Sequence, residues 1–121
     1  MKNTIELALH EAGKILLQSF GKISDYTVKE SQSSIVTKTD VDSEKKIMQI
    51  ISEQFPRHNL LGEETGFQNN NSEFTWVVDP IDGTSNFAAG IPWFGVIICV
   101  LKNFKPLISG CFLPVQNQLY F

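Results

Sequence analysis

Two short acidic segments carry residue types that bind divalent cations. They are Gly62–Thr65, which reads Gly-Glu-Glu-Thr, and Asp79–Thr84, which reads Asp-Pro-Ile-Asp-Gly-Thr. Because like charges repel, carboxylates that fold to one place need a compensating partner, and hard divalent cations prefer oxygen ligands. A third candidate is Asp40. If the five acids of these segments are set aside, the formal net charge of −3 becomes +2, so the acidity of the chain is concentrated there. The five are Asp40, Glu63, Glu64, Asp79 and Asp82.

The second segment also predicts an anion site. Pro80 fixes its own φ angle and Gly83 permits a sharp turn, so Asp79 and Asp82 can converge while the backbone bends. Gly83 and Thr84 then begin a helical turn, whose free N–H groups favour a phosphate. Carboxylates for Mg²⁺ beside such a turn indicate a metal-assisted phosphate site.

Each acidic residue also has a simpler explanation. Asp40 and Asp42 could cap a helix, Glu63–Glu64 could lie in a solvated loop, and Asp79-Pro80 could mark a turn. The combined pattern Asp-Pro-x-Asp-Gly-Thr is harder to dismiss, because by chance it would occur in about one chain of this size in tens of thousands. An EF-hand loop starting at Asp40 is excluded, since Lys45 and Ile51 replace its required Gly and Glu.

The remaining elements must position these acids. Apolar residues spaced by three and four predict a helix over 4–20, with Gly21 as its C-cap, and a second helix over Asp40–Phe55, which Pro56 ends. Residues 23–36 are predicted to form a short hairpin, and Thr65–Glu73 a loop. Predicted strands are Asn59–Gly62, Thr75–Asp79, Trp93–Leu101, Pro106–Leu113 and Gln118–Phe121.

Two helices followed by strands predict an α+β fold. The continuous apolar run Trp93–Leu101 is typical of a strand that is buried on both faces. Two helices cannot cover both faces of a sheet of this size. The chain therefore looks short for the sheet that it contains.

Composition excludes several classes of protein. With 121 residues, 42% of them apolar, the chain fits one globular domain. Ten basic against thirteen acidic residues argue against a nucleic-acid binder. The apolar run Ile91–Leu101 is shorter than the roughly twenty residues of a membrane span, and no signal peptide is visible. Cys99 and Cys111 are expected to be buried, reduced thiols of a cytoplasmic protein, although a disulfide between neighbouring strands is possible.

Four segments together resemble one enzyme family. Val36–Asp40, Gly62–Thr65, Trp76–Phe87 and Gly90–Pro92 match, in order and spacing, the inositol monophosphatase family of Mg²⁺-dependent, lithium-sensitive phosphatases. The resemblance implies a layered α/β sandwich of the sugar-phosphatase type, with two N-terminal helices packed on a largely antiparallel sheet. A haloacid-dehalogenase-type phosphatase is the weaker match, because Pro80 stands where that class has an acid.

The resemblance assigns the metal ligands by position. Glu63 and Asp79, with the carbonyl of Ile81, would bind a first Mg²⁺, and Asp79 would bridge to a second Mg²⁺ that Asp82 also binds. Lys29 falls near the family's third metal.

The resemblance also assigns the catalytic and phosphate-binding groups. Thr84, together with Glu63 and Asp40, would orient and deprotonate the attacking water. The N–H groups of Gly83 and Thr84 would receive the substrate phosphate, and Glu64 would support the ligands from behind.

The implied activity is hydrolysis of a small polyol phosphate, such as inositol 1-phosphate, by a metal-activated water. Two or three Mg²⁺ ions, inhibition by lithium and a homodimer are expected, without nucleic-acid or membrane partners. Fructose 1,6-bisphosphate, histidinol phosphate and adenosine bisphosphate are alternative substrates.

Two departures from the family stand out. Ser34 replaces an Asp found in many members. The family's fold is also longer, and its second half supplies a further Asp ligand and most contacts to the substrate alcohol. Residues 1–121 are therefore expected to be an N-terminal metal-binding part whose second half is absent. The alternative is a truncated, inactive fragment that binds metal or a partner.

Overall fold

The protein is seen here in a computed structural model that describes residues 1–23 and 29–121, with side chains described outside 23–32. Two long helices precede a six-stranded sheet, and a short helix follows the third strand. The helices are α1 (Lys2–Ile23), α2 (Lys29–Gln54) and α3 (Thr84–Ala88). The strands are β1 (Asn59–Gly62), β2 (Gly66–Gln68), β3 (Phe74–Asp82), β4 (Gly95–Lys102), β5 (Lys105–Leu113) and β6 (Gln118–Tyr120).

The sheet is largely antiparallel, as the α+β expectation requires. Its strand order is β2-β1-β3-β4-β5-β6, and the pairing of β1 with β3 is parallel whereas the other four pairings are antiparallel. β1 and β3 therefore run in the same direction, so the acidic segments at their ends reach the same edge of the sheet.

Both long helices pack on one face of this sheet, here called the helix face. α1 lies close to β5, because a Cβ atom built at Gly110 would come within 2.7 Å of Ile5 and 2.9 Å of Leu9. α2 lies close to the end of β1, where Gly62 contacts Met48. The large apolar side chains that are fully buried in this layer include Ile5, Leu9, Leu16, Ile47, Ile51, Trp76, Val96, Ile98 and Val100.

The opposite face of the sheet, here called the open face, is covered by neither α1 nor α2. In β4, Val96, Ile98 and Val100 are fully buried, whereas the alternating residues 97, 99 and 101 are only half-buried. The expectation that this strand is buried on both faces is therefore wrong in this structure, because the described helices supply cover for one face only. By register, the open face carries Leu61, Phe67, Val77, Asp79, Ile97, Cys99 and Cys111.

The two cysteines share the open face as free thiols. Cys99 lies opposite Ser109, and Cys111 lies opposite Ile97. Each thiol is half-buried rather than fully buried, and this burial raises the pKa of both. Their reduced state is as expected, and the alternative disulfide is not formed.

The predicted hairpin is wrong where the structure describes it. Residues 29–36 form the start of α2, and residues 24–28 lie outside the described part of the chain. The polar run is compatible with a helix because Thr37 and Thr39 donate their hydroxyl protons to the carbonyls of Ser33 and Ile35, at 3.0 and 2.6 Å. Asp40 and Asp42 consequently lie inside α2, so their predicted role as caps is also wrong.

Smaller differences concern boundaries. Gly21 lies within α1 instead of capping it. The predicted loop Thr65–Glu73 contains β2, which folds back on β1. β3 continues through Pro80 to Asp82, with an irregular register after Asp79 that accommodates the missing proline donor. No described helix is long and apolar enough to cross a membrane.

The close approach of α1 to β5 can be tested by substitution. We expect Gly110→Ala to lower the free energy of unfolding by about 1–3 kcal/mol, since the new methyl group overlaps Ile5 and Leu9. Gly21→Ala is the matched control, because nothing lies within 4 Å of its added methyl group. That control should gain up to about 1 kcal/mol. Urea unfolding followed by circular dichroism measures both, and equal stability of the two variants would contradict this packing.

Candidate active site

The first acidic segment is the turn of the β1–β2 hairpin. Gly62 pairs with Gly66 at the base of this turn, and Glu63, Glu64 and Thr65 form its exposed tip. Gly66 has a positive φ of 68°, a conformation that glycine adopts without strain. The hairpin therefore places two adjacent carboxylates at the edge of the sheet.

The second acidic segment joins β3 to α3 through a left-handed glycine. Gly83 has φ 82° and ψ 40°, and a Cβ atom there would come within 2.9 Å of the Trp93 carbonyl oxygen. The amide of Phe87 donates to the Gly83 carbonyl at 3.0 Å and so starts the hydrogen bonding of α3. The amides of Gly83 and Thr84 precede this ladder, and their binding of an anion stays a prediction.

Aromatic packing holds α3 in place. The fully buried Phe87 meets Phe94 edge-on, with ring centroids 4.9 Å apart, and Phe20 of α1 contacts both rings. Asn86 adds a hydrogen bond of 2.9 Å from its side-chain amide to the Trp93 carbonyl. The turn at Gly83 and Thr84 is thus anchored to the core by the residues that follow it.

Thr84 contacts another predicted site residue. Its hydroxyl donates a hydrogen bond of 3.1 Å to the carbonyl of Ile81. This carbonyl is the one predicted to bind metal, and a carbonyl oxygen has two lone pairs, so it can accept from Thr84 and still have a second lone pair. The contact brings a hydroxyl next to a candidate ligand.

Asp40 reaches the same edge of the sheet from α2. Its atom Oδ1 is buried without a hydrogen-bond partner. Its pKa is raised to about 6, first by burial and then by the negative charges of Glu63, Glu64, Asp79 and Glu44. The structure therefore brings Asp40 close to both acidic segments.

Asp79 and Asp82 interact directly. Burial raises the pKa of Asp79 first, and the charge and side-chain hydrogen bond of Asp82 raise it further, with a contribution from Glu63.

This donor set fits a hard divalent cation. The buried oxygen of Asp40 lacks a partner and the carboxylates repel one another, which are the two conditions that a bound cation would relieve. Within residues 1–23 and 29–121, however, no three acidic, His or Cys side chains are already arranged to hold a metal ion. The acidic side chains lie near one another, but their oxygen atoms do not converge on one common position.

Three other residues stand outside this group or were missed by the sequence analysis. Asp42 lines a cavity of about 450 Å³ between α1 and α2 instead of joining the carboxylates. The side chain of Lys29 lies outside the described ones. Glu44 is not singled out by the sequence, yet it is buried at the site; its position one helical turn after Asp40 was the available signal.

With this geometry in hand, comparison with known proteins decides the family. A model of the inositol monophosphatase family matches residues 1–121. The chain belongs to the inositol monophosphatase family. It is 33% identical over 117 residues to a fructose-1,6-bisphosphatase/inositol-1-monophosphatase of Aquifex aeolicus, an alignment covering 96% of this chain and 44% of the relative. It is 31% identical to an inositol-1-monophosphatase of Caulobacter vibrioides, covering 94% of this chain and 46% of the relative.

Solved structures agree with this assignment. The extragenic suppressor protein SuhB of Bartonella henselae superposes with a TM-score of 0.85 at 28% identity, covering 98% of this chain and 45% of that one. The inositol monophosphatase of Anabaena superposes with a TM-score of 0.80 at 32% identity, covering 97% and 41%. The expected fold of the sugar-phosphatase type is thereby confirmed, and the chain spans less than half the length of the relatives that it matches.

The carboxylate cluster should make stability depend on pH. Because the pKa of Asp40 rises from 3.8 to about 6 on folding, the metal-free folded chain binds more protons than the unfolded chain between these values. Its free energy of unfolding should therefore fall as the pH rises through this window, and the raised pKa of Asp79 acts in the same direction.

Urea titrations in chelator between about pH 3.5 and pH 7 measure this dependence. Asp40→Asn should reduce the slope and make the metal-free chain more stable than wild type at pH 7. Asp42→Asn, which removes a carboxylate from the cavity between the helices, is the control and should leave the slope as it is. A stability that rises equally with pH in wild type and Asp40→Asn would contradict the clustering.

Proposed function

We propose that this chain carries the metal- and phosphate-binding part of a Mg²⁺-dependent phosphomonoesterase. One observation carries the proposal: Asp40, Glu63 and the Asp79–Asp82 pair interact electrostatically beside a left-handed glycine turn that opens toward solvent. The names of the relatives, which describe phosphatases, support it. The domain would extend over residues 1–121 and would be incomplete, since the relatives are longer.

Four groups would hold the metal in this proposal. They are the carboxylates of Glu63, Asp79 and Asp82 and the carbonyl of Ile81, which accepts a hydrogen bond from Thr84. Two or three bound Mg²⁺ ions would neutralise the charge of the phosphoryl oxygens and lower the pKa of a water molecule. Lithium would inhibit the reaction.

The chain's own groups would do the rest. Thr84 and Glu63 would orient the attacking water, and Asp40, whose buried Oδ1 has no hydrogen-bond partner, would assist in taking its proton. The amides of Gly83 and Thr84 would receive the phosphate, because they precede the hydrogen-bonding ladder of α3.

The substrate that we propose is a small polyol phosphate such as inositol 1-phosphate. Support comes from the segment Asn86–Phe87 after the turn, which resembles inositol monophosphatases, and from the names of several relatives. Fructose 1,6-bisphosphate remains a candidate because one relative is named for both activities. Histidinol phosphate and adenosine bisphosphate are further candidates. Activity measured on a panel of all these substrates would identify the preferred one.

A second candidate function is a catalytically inactive piece that binds metal or a partner. The open face favours it, since Asp79 and Asp82 lie at an edge of the sheet that neither α1 nor α2 encloses. The relatives' remaining length, more than half of each, would have room there. Phosphatase activity separates the two candidates.

Release of phosphate from inositol 1-phosphate with Mg²⁺ is the deciding measurement, made on this chain and on any longer product that contains it. We expect Asp82→Asn to reduce activity by at least about 100-fold, because a ligand charge is lost. Asp42→Asn, the matched acid outside the site, should retain activity. Absence of activity from every product with the intact segment Asp79–Thr84 would exclude the enzyme and favour the binding function.

We also propose that residues 1–121, when no longer product covers the open face, form a cytoplasmic homodimer through that face. Phe67 is 49% exposed there, and Leu7, at 50% on the outer side of α1, provides a control of similar exposure. Sedimentation velocity should detect a dimer that Phe67→Lys dissociates and Leu7→Lys does not, since only the first places a charge in the apolar contact. A monomer at all concentrations would contradict this assembly.

A further inference from the structure

Glu44 is a carboxylate buried beneath the first acidic turn. Only 1% of its surface is exposed. The amide of Glu64 donates to both of its oxygens at 3.1 Å, and the amide of Thr65 donates to Oε2 at 2.9 Å. Its carboxylate therefore fixes the backbone of the residues that directly follow Glu63.

The surroundings of Glu44 make the burial of its carboxylate unfavourable unless other groups compensate for the lost water. Its negative charge helps to raise the pKa of Asp40, as do the charges of Glu63, Glu64 and Asp79. Among the described side chains the one ion pair joins Lys14 to Glu11, so no described cation neutralises Glu44. A buried charge without a cation is tolerated when backbone amides satisfy it, and here they do.

The preceding residue of α2 fastens the second acidic segment. The buried Ser43 hydroxyl donates a hydrogen bond of 3.0 Å to the carbonyl of Pro80, which lies between Asp79 and Asp82. Two consecutive residues of one helix thus hold the two acidic segments. The same helix carries Asp40 one turn before Glu44, so it sets the relative positions of all three groups.

Gly62 shows how close this contact is. A Cβ atom built there would lie 2.6 Å from Oε1 of Glu44 and 2.5 Å from Cε of Met48. Only glycine allows the helix to approach the strand closely enough for Glu44 to reach the amides beyond it.

We propose that Glu44 is a positioning residue that holds the turn containing Glu63 in a fixed position relative to the segment Asp79–Asp82. Ser43 holds that second segment through its bond to Pro80. This inference rests on the proposed function, in which Glu63 and Asp79 bind one metal ion. Glu44 itself touches neither substrate nor metal and acts through the backbone of Glu64 and Thr65.

Glu44→Gln tests the proposal because it keeps the shape of the side chain but replaces one acceptor oxygen by an NH₂ group, which in either orientation opposes the Glu64 amide that both oxygens of Glu44 accept. We expect Mg²⁺ affinity, measured by calorimetry, to fall by about tenfold or more, as for residues that orient metal ligands. The amide NMR signals of Glu64 and Thr65 should shift in the metal-free protein, while that of Phe87 in α3 stays in place. Glu53→Gln, on an exposed part of α2, is the matched control and should change neither measurement.

Two further results distinguish a failure of the role proposed for Glu44 from a failure of the proposed function. Gly62→Ala should weaken Mg²⁺ binding in the same way while Glu44 stays intact, since it pushes the carboxylate away from the turn. Unchanged affinity and unchanged amide signals in Glu44→Gln would overturn the role of Glu44 although the wild type binds Mg²⁺. If the wild type binds no Mg²⁺ at any concentration, the proposed function fails, and the amide signals alone then decide whether Glu44 holds the turn.

Discussion

The repulsion between carboxylates at one edge of the sheet is the constraint on which the rest of this structure depends. Asp40, Glu63 and Asp79 come from a helix, a hairpin and a central strand, and each raises the energy of the others when ionised. Isolated segments with these charges would move apart. Hydrophobic packing of α2 against β1 and β3 keeps them together, because Ile47, Ile51 and Trp76 are fully buried between helix and sheet.

The contact of α2 with the acidic segments turns this packing into geometry. Glu44 binds the amides of one turn, Ser43 binds a carbonyl of the other, and the absence of a side chain at Gly62 permits the close approach. Polar bonds of this kind add little net stability, but they have few alternative arrangements in a buried site. They determine where the acidic side chains begin, whereas the apolar core determines that the helix lies against the sheet.

The open face gives the sheet an asymmetry that bears on function. Alternation in β4 separates fully buried Val96, Ile98 and Val100 from half-buried neighbours, so one layer of the expected sandwich is in place and the other side is free to be covered. Asp79 lies on this face at the end of its strand. Whatever covers the open face would also border the carboxylates, which links assembly to the environment of the site.

The sequence by itself determined the chemical groups and most of the elements that carry them. The segment Asp79–Thr84 predicted a turn followed by a helix because Pro80 and Gly83 restrict the backbone locally, and α3 indeed follows Gly83 in its left-handed conformation. Strand β1 was predicted with its observed bounds, since a short apolar run between Pro56 and Gly62 has few alternatives. Local steric rules and periodicity suffice for such features.

Tertiary structure decided the start of α2, the continuation of β3 through Pro80 and the importance of Glu44. The serine-rich run before Asp40 has the local signals of a turn, and it becomes helical in the structure, where Thr37 and Thr39 bond within the helix. Glu44 looks like any other acid of a polar helix until the hairpin turn folds over it. Its role arises from contact between residues twenty and more positions apart, and such a contact leaves no periodic pattern in the chain.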